Sequence, residues 1–408
     1  FNNNSLCCFF VTYYCRMQDK LWVDMKYLII PVLTIIALFI SCASENTTLS
    51  GTDASNWTWP IFRGDAQLTG QASATLPESL KLLWSFQTGD DIKSSPVVGN
   101  GNVYIGSTDG LLYALDAATG DSLWAFDAGD DIEAPALLLD STLYIGSLSG
   151  DFFALNARNG NLLWTFTAED EIYGSAVWVD APNGQDTWLI VGSYDFRVYA
   201  IDASTGTQQW SYETDNYING APATDGQVAV FGGCDERLHI VSVADGSKIG
   251  EVVAGSYIAG SAALYDSIAY LGHYGETLMA IDVEAQEIIW EYDNSGEARA
   301  FFSTPAVNEN HVVIGSRDKL VHCVNRNTGE QLWTFQTRDD VDSSPVISND
   351  KVVVGSNDGR LYVLNLNDGS LIWSYDIGSP IVGSPAVTGG HIFIGAEDGR
   401  LYAFGGEL

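Results

Sequence analysis

The chain has 408 residues, 46% of them hydrophobic, so it can bury a large core either as several ordinary domains or as one closed all-β repeat. Its 18 Lys+Arg stand against 52 Asp+Glu, a formal net charge of −34. Nucleic-acid partners need basic surface to displace counterions, so this balance argues against them; it also favours solubility and repulsion from anionic membranes.

In chain order, residues 1–24 begin with Phe1 and place Cys7, Cys8 and Cys15 ahead of a complete export signal, so they read as an upstream, non-native extension. Met25-Lys26 then opens an apolar run from Tyr27 to Ile40, followed by Ser41-Cys42. The run is short for a membrane span and fits the apolar region of a secretory signal, which assigns residues 25–42 to a signal peptide. Phe39-Ile40-Ser41-Cys42 resembles the lipobox of bacterial lipoproteins, where the cysteine is lipidated and becomes the mature first residue; Phe39 stands where leucine is usual. The alternative is an ordinary signal peptide with an incidental cysteine. Under the lipoprotein reading Cys42 is the lipidation site, Ala43 suits outer-membrane sorting, and residues 43–58 form a flexible tether. Past the signal only Cys234 and Cys323 remain, at repeat positions too unlike for a disulfide.

Residues 59–408 form a repeat. Trp84, Trp124, Trp164, Trp210, Trp290, Trp333 and Trp373 follow one another at intervals of 40, 40, 46, 80, 43 and 40 residues, and the long interval hides a missing member at Gly250. Strand-rich units of about 40–45 residues predict β-propeller blades. The second unit reads as four strands, Ile132–Leu139, Thr142–Ser147, Phe152–Asn156 and Leu162–Phe166, labelled A to D from the axis outward. The turns Asp116–Gly120, Asn156–Gly160, Asp202–Gly206 and Asn325–Gly329 begin with an Asx residue that can cap the turn and end in a glycine for the left-handed position.

Four residues after that glycine comes the tryptophan in most blades. An indole on each outer strand fills the wedge between neighbouring blades, and outer-strand residues lie too far apart to converge on a ligand. Blade 4 departs, with Ser242 for the Asx and Gly250 for the tryptophan, so weaker packing is expected there. The last unit supplies Ile381–Val387, His391–Gly395 and Leu401–Phe404 but no strand D; residues 82–86 from the front supply it and remove two exposed sheet edges. The fold class is all-β, an eight-bladed propeller of four-stranded antiparallel blades.

The stretch Tyr104–Trp124 resembles the pyrroloquinoline-quinone-like (PQQ-like) propeller repeat, with its Ala-x-Asp-x-x-x-Gly-x-x-x-Trp docking motif from Ala114 to Trp124. Trp59-Pro60 and Phe62-Arg63-Gly64-Asp65 resemble the lead-in of such proteins. Size, lipobox and blade number are similar to those of BamB-type lipoproteins of the outer-membrane assembly machinery. That resemblance implies a non-catalytic, cofactor-free, monomeric propeller, exported to the cell envelope. It faces the periplasm, touches the outer membrane through its lipid alone, and binds protein partners of a membrane-assembly complex rather than nucleic acid.

Quinoprotein dehydrogenases share the repeat. That alternative implies PQQ, a calcium ion held by Glu, Asn and Asp, a catalytic aspartate and a disulfide between adjacent cysteines, but Cys7-Cys8 lie ahead of the signal. A glycan- or small-ligand-sensing propeller is the other alternative. No catalytic, cofactor or metal residue is assigned: His239, His273, His311, His322 and His391 fall at unlike repeat positions, with no His-x-x-x-His or Cys-x-x-Cys spacing.

One face does carry candidates. In a propeller the D-to-A and B-to-C connections share a face. The first set brings Asp90, Asp91, Asp130, Asp131, Asp170, Asp339 and Asp340; the second brings Asp109, Asp195, Asp235, Asp318, Asp358 and Asp398. They are expected to ring the axial funnel as a face that attracts a partner's basic patch or divalent ions. The alternative is the ordinary preference of turns for Asp. At the axis, the small pairs from Ser94-Ser95 to Gly383-Ser384 are expected on steric grounds alone.

Overall fold

Short runs of β-branched and aromatic residues, broken by Asx–Gly turns, can pair only with their sequence neighbours, and each unit folds into one antiparallel meander. The computed structural model describes residues 54–293 and 299–406. The extension 1–24, the signal 25–42 with Cys42, and the first part of the 43–58 tether lie outside the described residues. A single 3₁₀ turn, Ala54–Asn56, is the helical content among the described residues, and no helix there is long and apolar enough to cross a membrane.

Eight sheets surround one axis. Blades 1 to 7 span Val97–Asp127, Leu137–Thr167, Val177–Glu213, Ala223–Val253, Ala263–Asp293, Ala306–Gln336 and Val346–Asp376. Blade 8 joins Ala386–Thr388, His391–Ala396 and Arg400–Gly405 to the N-terminal strand Lys81–Gln87. That strand runs from Lys81 opposite Gly405 to Gln87 opposite Arg400, one residue longer at each end than expected. The inner strands are shorter than expected. In blade 2 only Leu137–Leu139 pairs, because Pro135 lacks an N–H and the chain before it faces the crowded axis.

The tryptophans seal the blade boundaries. Each indole lies on the turn glycine of the next blade and donates Nε1–H to a turn carbonyl: Trp84 to Ala117 (3.1 Å), Trp124 to Ala157 (3.2 Å), Trp164 to Ala203 (3.0 Å), Trp210 to Val243 (2.9 Å), Trp290 to Arg326 (2.9 Å) and Trp333 to Leu366 (2.7 Å). Trp373 packs on Phe404 at 5.5 Å. At Gly250, where weaker packing is expected, the Gln286 side chain of blade 5 lies against the glycine. Gln286 Nε2 donates to the Ile249 carbonyl at 3.4 Å.

A feature with no repeat signature closes one end of the ring. Thr58 N–H donates to Thr388 Oγ1, and Trp59 exchanges two 2.8 Å hydrogen bonds with Val98. Carbonyls of Pro60, Ala66, Gln67, Thr69 and Gly70 then accept from the inner-strand amides of Leu138, Thr224, Leu264, Val307 and Ile347. Gln71–Ala72 pairs in parallel with Ile347–Ser348. Residues 58–72 thus visit blades 8, 1, 2, 4, 5, 6 and 7 in circular order, while Ile61 is buried in the same core as Val177 and Val179 of blade 3. Ahead of them Trp57 packs on His391 with ring centroids 4.0 Å apart.

Arg63 is fully buried inside this circuit. Its guanidinium donates to the carbonyls of Ser344 (3.1 Å), Pro305 (3.2 Å) and Pro345 (2.5 Å). Burial pulls its pKa down to about 9, which leaves it charged at neutral pH. Gly70, at φ 65°, must be glycine, since a Cβ there would meet the Arg63 guanidinium at 2.0 Å.

Candidate functional site: the axial face

The circuit occupies the end where inner strands finish, so the axial channel opens at the other end, among the D-to-A and B-to-C connections. Two kinds of carboxylate lie there, and they do different work. The B-to-C aspartates build the ring. Asp109 Oδ1 accepts from Leu111 N–H, and its Oδ2 accepts from Tyr113 Oη (2.6 Å) and from Gly89 N–H of the preceding connection (2.6 Å). Asp195 with Tyr199, Asp358 with Tyr362 and Asp398 with Tyr402 repeat the pairing with a tyrosine four residues on. Asp235 and Asp318 use histidine instead, His239 at 2.7 Å and His322 at 3.0 Å.

The outer strand of the preceding blade matches five of these six choices, the exception being Tyr375 ahead of Asp398 and Tyr402. Phe86, Phe166 and Phe335 pack on Tyr113, Tyr199 and Tyr362, whereas Tyr212 and Tyr292 place their hydroxyls 3.1 Å from His239 and His322 Nδ1. Blades 2 and 5 have Ser149 and Gly275 in place of the aspartate, and their partner positions are the apolar Phe153 and Met279. Burial together with the Asp195 hydrogen bond pushes the Tyr199 phenol up to about 12. Burial is the largest single influence on Asp235 and opposes its ionisation, but the His239 hydrogen bond and attraction, together with backbone amides including that of Arg237, outweigh it and hold the carboxyl below its ordinary value.

The D-to-A acids are the more open kind, with Asp90, Asp130, Asp170 and Asp339 exposed and Asp91, Asp131 and Asp340 half-buried. Asp90, Asp130 and Asp170 each use one oxygen to cap the next amide (2.9, 2.8 and 3.0 Å) and present the other to solvent. Lys319 pairs with Asp339 at 3.2 Å, Arg237 with Asp215 at 3.0 Å and Arg197 with Glu169 at 3.5 Å. Exposed pairs of this kind contribute little net attraction.

At the D-to-A connections the acids do not go all the way round the mouth. A repeated backbone bond aligns the blades here: Thr108 N–H donates to Asp91 O, Leu148 to Asp131, Tyr194 to Glu171, Cys234 to Tyr217, Tyr274 to Tyr257, Arg317 to Ala300, Asn357 to Asp340 and Glu397 to Pro380. The acceptor position is acidic in blades 7, 1, 2 and 3 but tyrosine in blades 4 and 5. Tyr217, Tyr257 and Tyr274 are 41%, 47% and 44% exposed. Tyr173, Tyr194 and Tyr217 run side by side with centroids 4.5 and 4.8 Å apart, and Tyr274 meets Phe302 at 5.7 Å. The face is therefore divided into an acidic half and an aromatic arc over blades 3 to 6. Comparing Asp91 and Asp131 with Tyr217 and Tyr257 along the repeat would have revealed this arc from sequence.

Inside the mouth each blade offers one side chain, in order Lys93, Glu133, Tyr173, Asn219, Ala259, Phe302, Asp342 and Val382. They surround a cavity of about 320 Å³ that also takes in Glu397 and has Phe62 of the closing circuit in its lining. Lys93 pairs with Glu133 at 2.8 Å. Asp342 accepts from Arg317 Nε (2.8 Å) and Asn357 Nδ2 (3.0 Å). The small residues of the channel wall do more than save space. Ala221, Ser261, Thr304, Ser344 and Ser384 each donate an amide to the next blade's hydroxyl, on Ser261, Thr304, Ser344, Ser384 and Ser95 respectively, a chain of hydrogen bonds that crosses the seam between blades 8 and 1. Pro135 interrupts it in blade 2.

These residues do not fit a PQQ–calcium centre. No group of three His, Cys, Asp or Glu side chains among the described residues is arranged to hold a metal ion. Asp342 is committed to Arg317 and Asn357, Glu133 to Lys93, and the free Cys234 and Cys323 are not adjacent.

A family model described as outer membrane protein assembly factor BamB matches residues 62–139, 133–256, 254–338 and 317–407. Among solved structures, BamB from Moraxella catarrhalis superposes with TM-score 0.67 at 22% identity, covering 81% of this chain and 98% of that one. Quinohemoprotein alcohol dehydrogenase from Comamonas testosteroni gives TM-score 0.72 at 12% identity over 86% of this chain and 81% of that one. The quinohemoprotein alcohol dehydrogenase ADHIIG from Pseudomonas putida HK5 gives 0.71 at 13%, over 86% and 80%. At these identities the likeness is one of fold. No curated protein matches the chain.

Proposed function

Because this chain belongs to the outer membrane protein assembly factor BamB family, we propose that it is a non-catalytic scaffold, exported and lipidated on Cys42. In this reading it is a monomeric propeller on the periplasmic side of the outer membrane and contributes to assembly of outer-membrane proteins. The observation that carries the reading is the division of labour between the two ends of the ring. One end is closed by residues 58–72, while the other keeps exposed tyrosines and carboxylates that packing does not consume. Exposed aromatic and charged groups around a concavity are the ordinary material of a docking surface. The B-to-C aspartates have structural roles, so the docking acids are Asp90, Asp91, Asp130, Asp131, Asp170, Asp339 and Asp340.

The test is affinity capture of the tethered full chain from native membranes. Enrichment of an outer-membrane assembly complex, lost when Asp90, Asp130 and Asp340 are changed together to Asn, is the expected result. Capture of the chain alone, with dye-linked alcohol oxidation after addition of PQQ and calcium, would overturn it in favour of the dehydrogenase reading that the Comamonas and Pseudomonas neighbours represent.

A further inference from the structure

The mouth already holds one organic cation. Arg317 stacks its guanidinium 3.9 Å above the Phe302 ring while forking Nε and Nη2 onto Asp342 at 2.8 and 3.1 Å. An aromatic ring over the face of a guanidinium and a carboxylate forked onto its edge are a complete recognition unit. The funnel offers the same two chemistries a second time. Tyr173 lines it beside Glu133, and Glu397 lines it from blade 8. Glu133 is paired with Lys93, but no hydrogen bond or ion pair to the Glu397 carboxylate occurs among the described residues. Burial and the nearby Asp91 make ionisation of Glu397 harder, Lys93 offsets this only in part, and an arriving cation would lower the remaining cost.

We propose that the funnel receives one arginine or lysine side chain from an extended segment of a partner protein, the segment lying on the tyrosine arc and the cationic head entering toward Glu397. The inference rests on the docking reading above and gives the partner its chemistry. Three observations favour a tethered side chain over a free cation. The cavity, about 320 Å³, stands at the small end of ligand pockets, which run from about 300 to 1,000 Å³. Phe62, part of the circuit that closes the far end, contributes to its lining, which makes it a dead end suited to a side chain rather than a passage for a strand. Its rim continues into Tyr217, Tyr257 and Tyr274, an apolar track beyond the reach of a small ion. The net charge of −34 steers any basic segment toward the protein, and the arc beside the funnel gives it a place to settle.

The test is calorimetric titration of the full chain in detergent with a capped glycine–serine peptide bearing one central arginine, its neutral citrulline counterpart, and spermidine. The arginine peptide is expected to bind about tenfold or more tightly than the citrulline peptide, a difference of about 1.4 kcal/mol. Glu397→Gln should erase most of that preference, whereas Tyr194→Leu, on the arc that holds the segment, should weaken the binding of both peptides alike. Asp121→Asn on the opposite face removes the same charge as Glu397→Gln and should leave it intact. Equal binding of the arginine and citrulline peptides, or equal effects of Glu397→Gln and Asp121→Asn, would overturn the proposal; tighter binding of spermidine than of the peptide would overturn the side-chain assignment. Membrane capture that fails while the arginine preference holds counts against the scaffold alone. Capture that succeeds without the preference counts against the receptor alone.

Discussion

Gln286 occupies the space over Gly250 that an indole fills at other blade boundaries. A Cβ on Gly250 would meet the Gln286 amide at 2.3 Å, and Gln286 takes φ 59° at the position where other blades have the turn glycine beneath a tryptophan. The Trp-over-Gly pair has been exchanged for Gly-under-Gln.

Gly250→Trp alone should cost about 1–3 kcal/mol, the range for overpacking. Gln286→Gly alone loses a contact but relieves a left-handed residue, a strain of about 1–2 kcal/mol. The double variant rebuilds the pair seen elsewhere and should be at least as stable as the parent. Denaturant titrations of the four proteins measure the coupling; strict additivity would show that the two positions do not compensate.

The inter-blade hydroxyl chain makes a differential prediction. Ser384→Ala leaves the Ser344 amide without its acceptor at the seam between blades 7 and 8 and should lower stability by about 1–3 kcal/mol. Ser175→Ala removes a hydroxyl that, among the described residues, bonds only the neighbouring Ala176 carbonyl, and should cost much less. Thermal melts of the two variants give the comparison, and equal losses would contradict it.

The aspartate–tyrosine and aspartate–histidine locks set pH limits at opposite ends of the range. Tyr199 is raised to about 12, above its unfolded value, so the folded state holds the proton more tightly. Its contribution is complete below about pH 10 and is lost as pH rises toward 12. Asp235 is lowered, so its contribution is present above the ordinary carboxylate range and is lost as pH falls through that range and below it. Melting temperature against pH should decline on both flanks. Tyr199→Phe should flatten the alkaline flank and Asp235→Asn the acid one, each at some loss of stability near neutrality.

Arg63 should tolerate neither Lys nor Met. Lysine keeps the charge but cannot fork to the carbonyls of Ser344, Pro305 and Pro345, and methionine leaves them unsatisfied. Both variants should lose about 1–3 kcal/mol, the cost of leaving a buried polar group unsatisfied. Limited proteolysis should then cut first between Trp57 and Lys81. A variant that melts like the parent would show that the circuit does not depend on this residue.

The ring itself was legible because its signals are periodic: the indoles, the Asx–Gly turns and the strand missing from blade 8 recur or fail to recur at a fixed spacing. The closing circuit was not, since Pro60, Ala66, Gln67, Thr69 and Gly70 act through backbone carbonyls that every sequence possesses. Gly250 was visible as a gap, but the filling came from Gln286 on the next blade. The acidic face was read residue by residue. Only position-by-position alignment of the blades separates aspartates tied to Tyr113 or His239 from those left in solvent, and shows tyrosines standing in the acidic place in blades 4 and 5.

The route of residues 58–72 has a mechanical consequence. A chain attached to a single blade would peel it away one hydrogen bond at a time. Here tension on the chain ahead of Trp57 is shared as shear by hydrogen bonds to blades 8, 1, 2, 4, 5, 6 and 7, and reaches the closing strand Lys81–Gln87 only after that series has yielded.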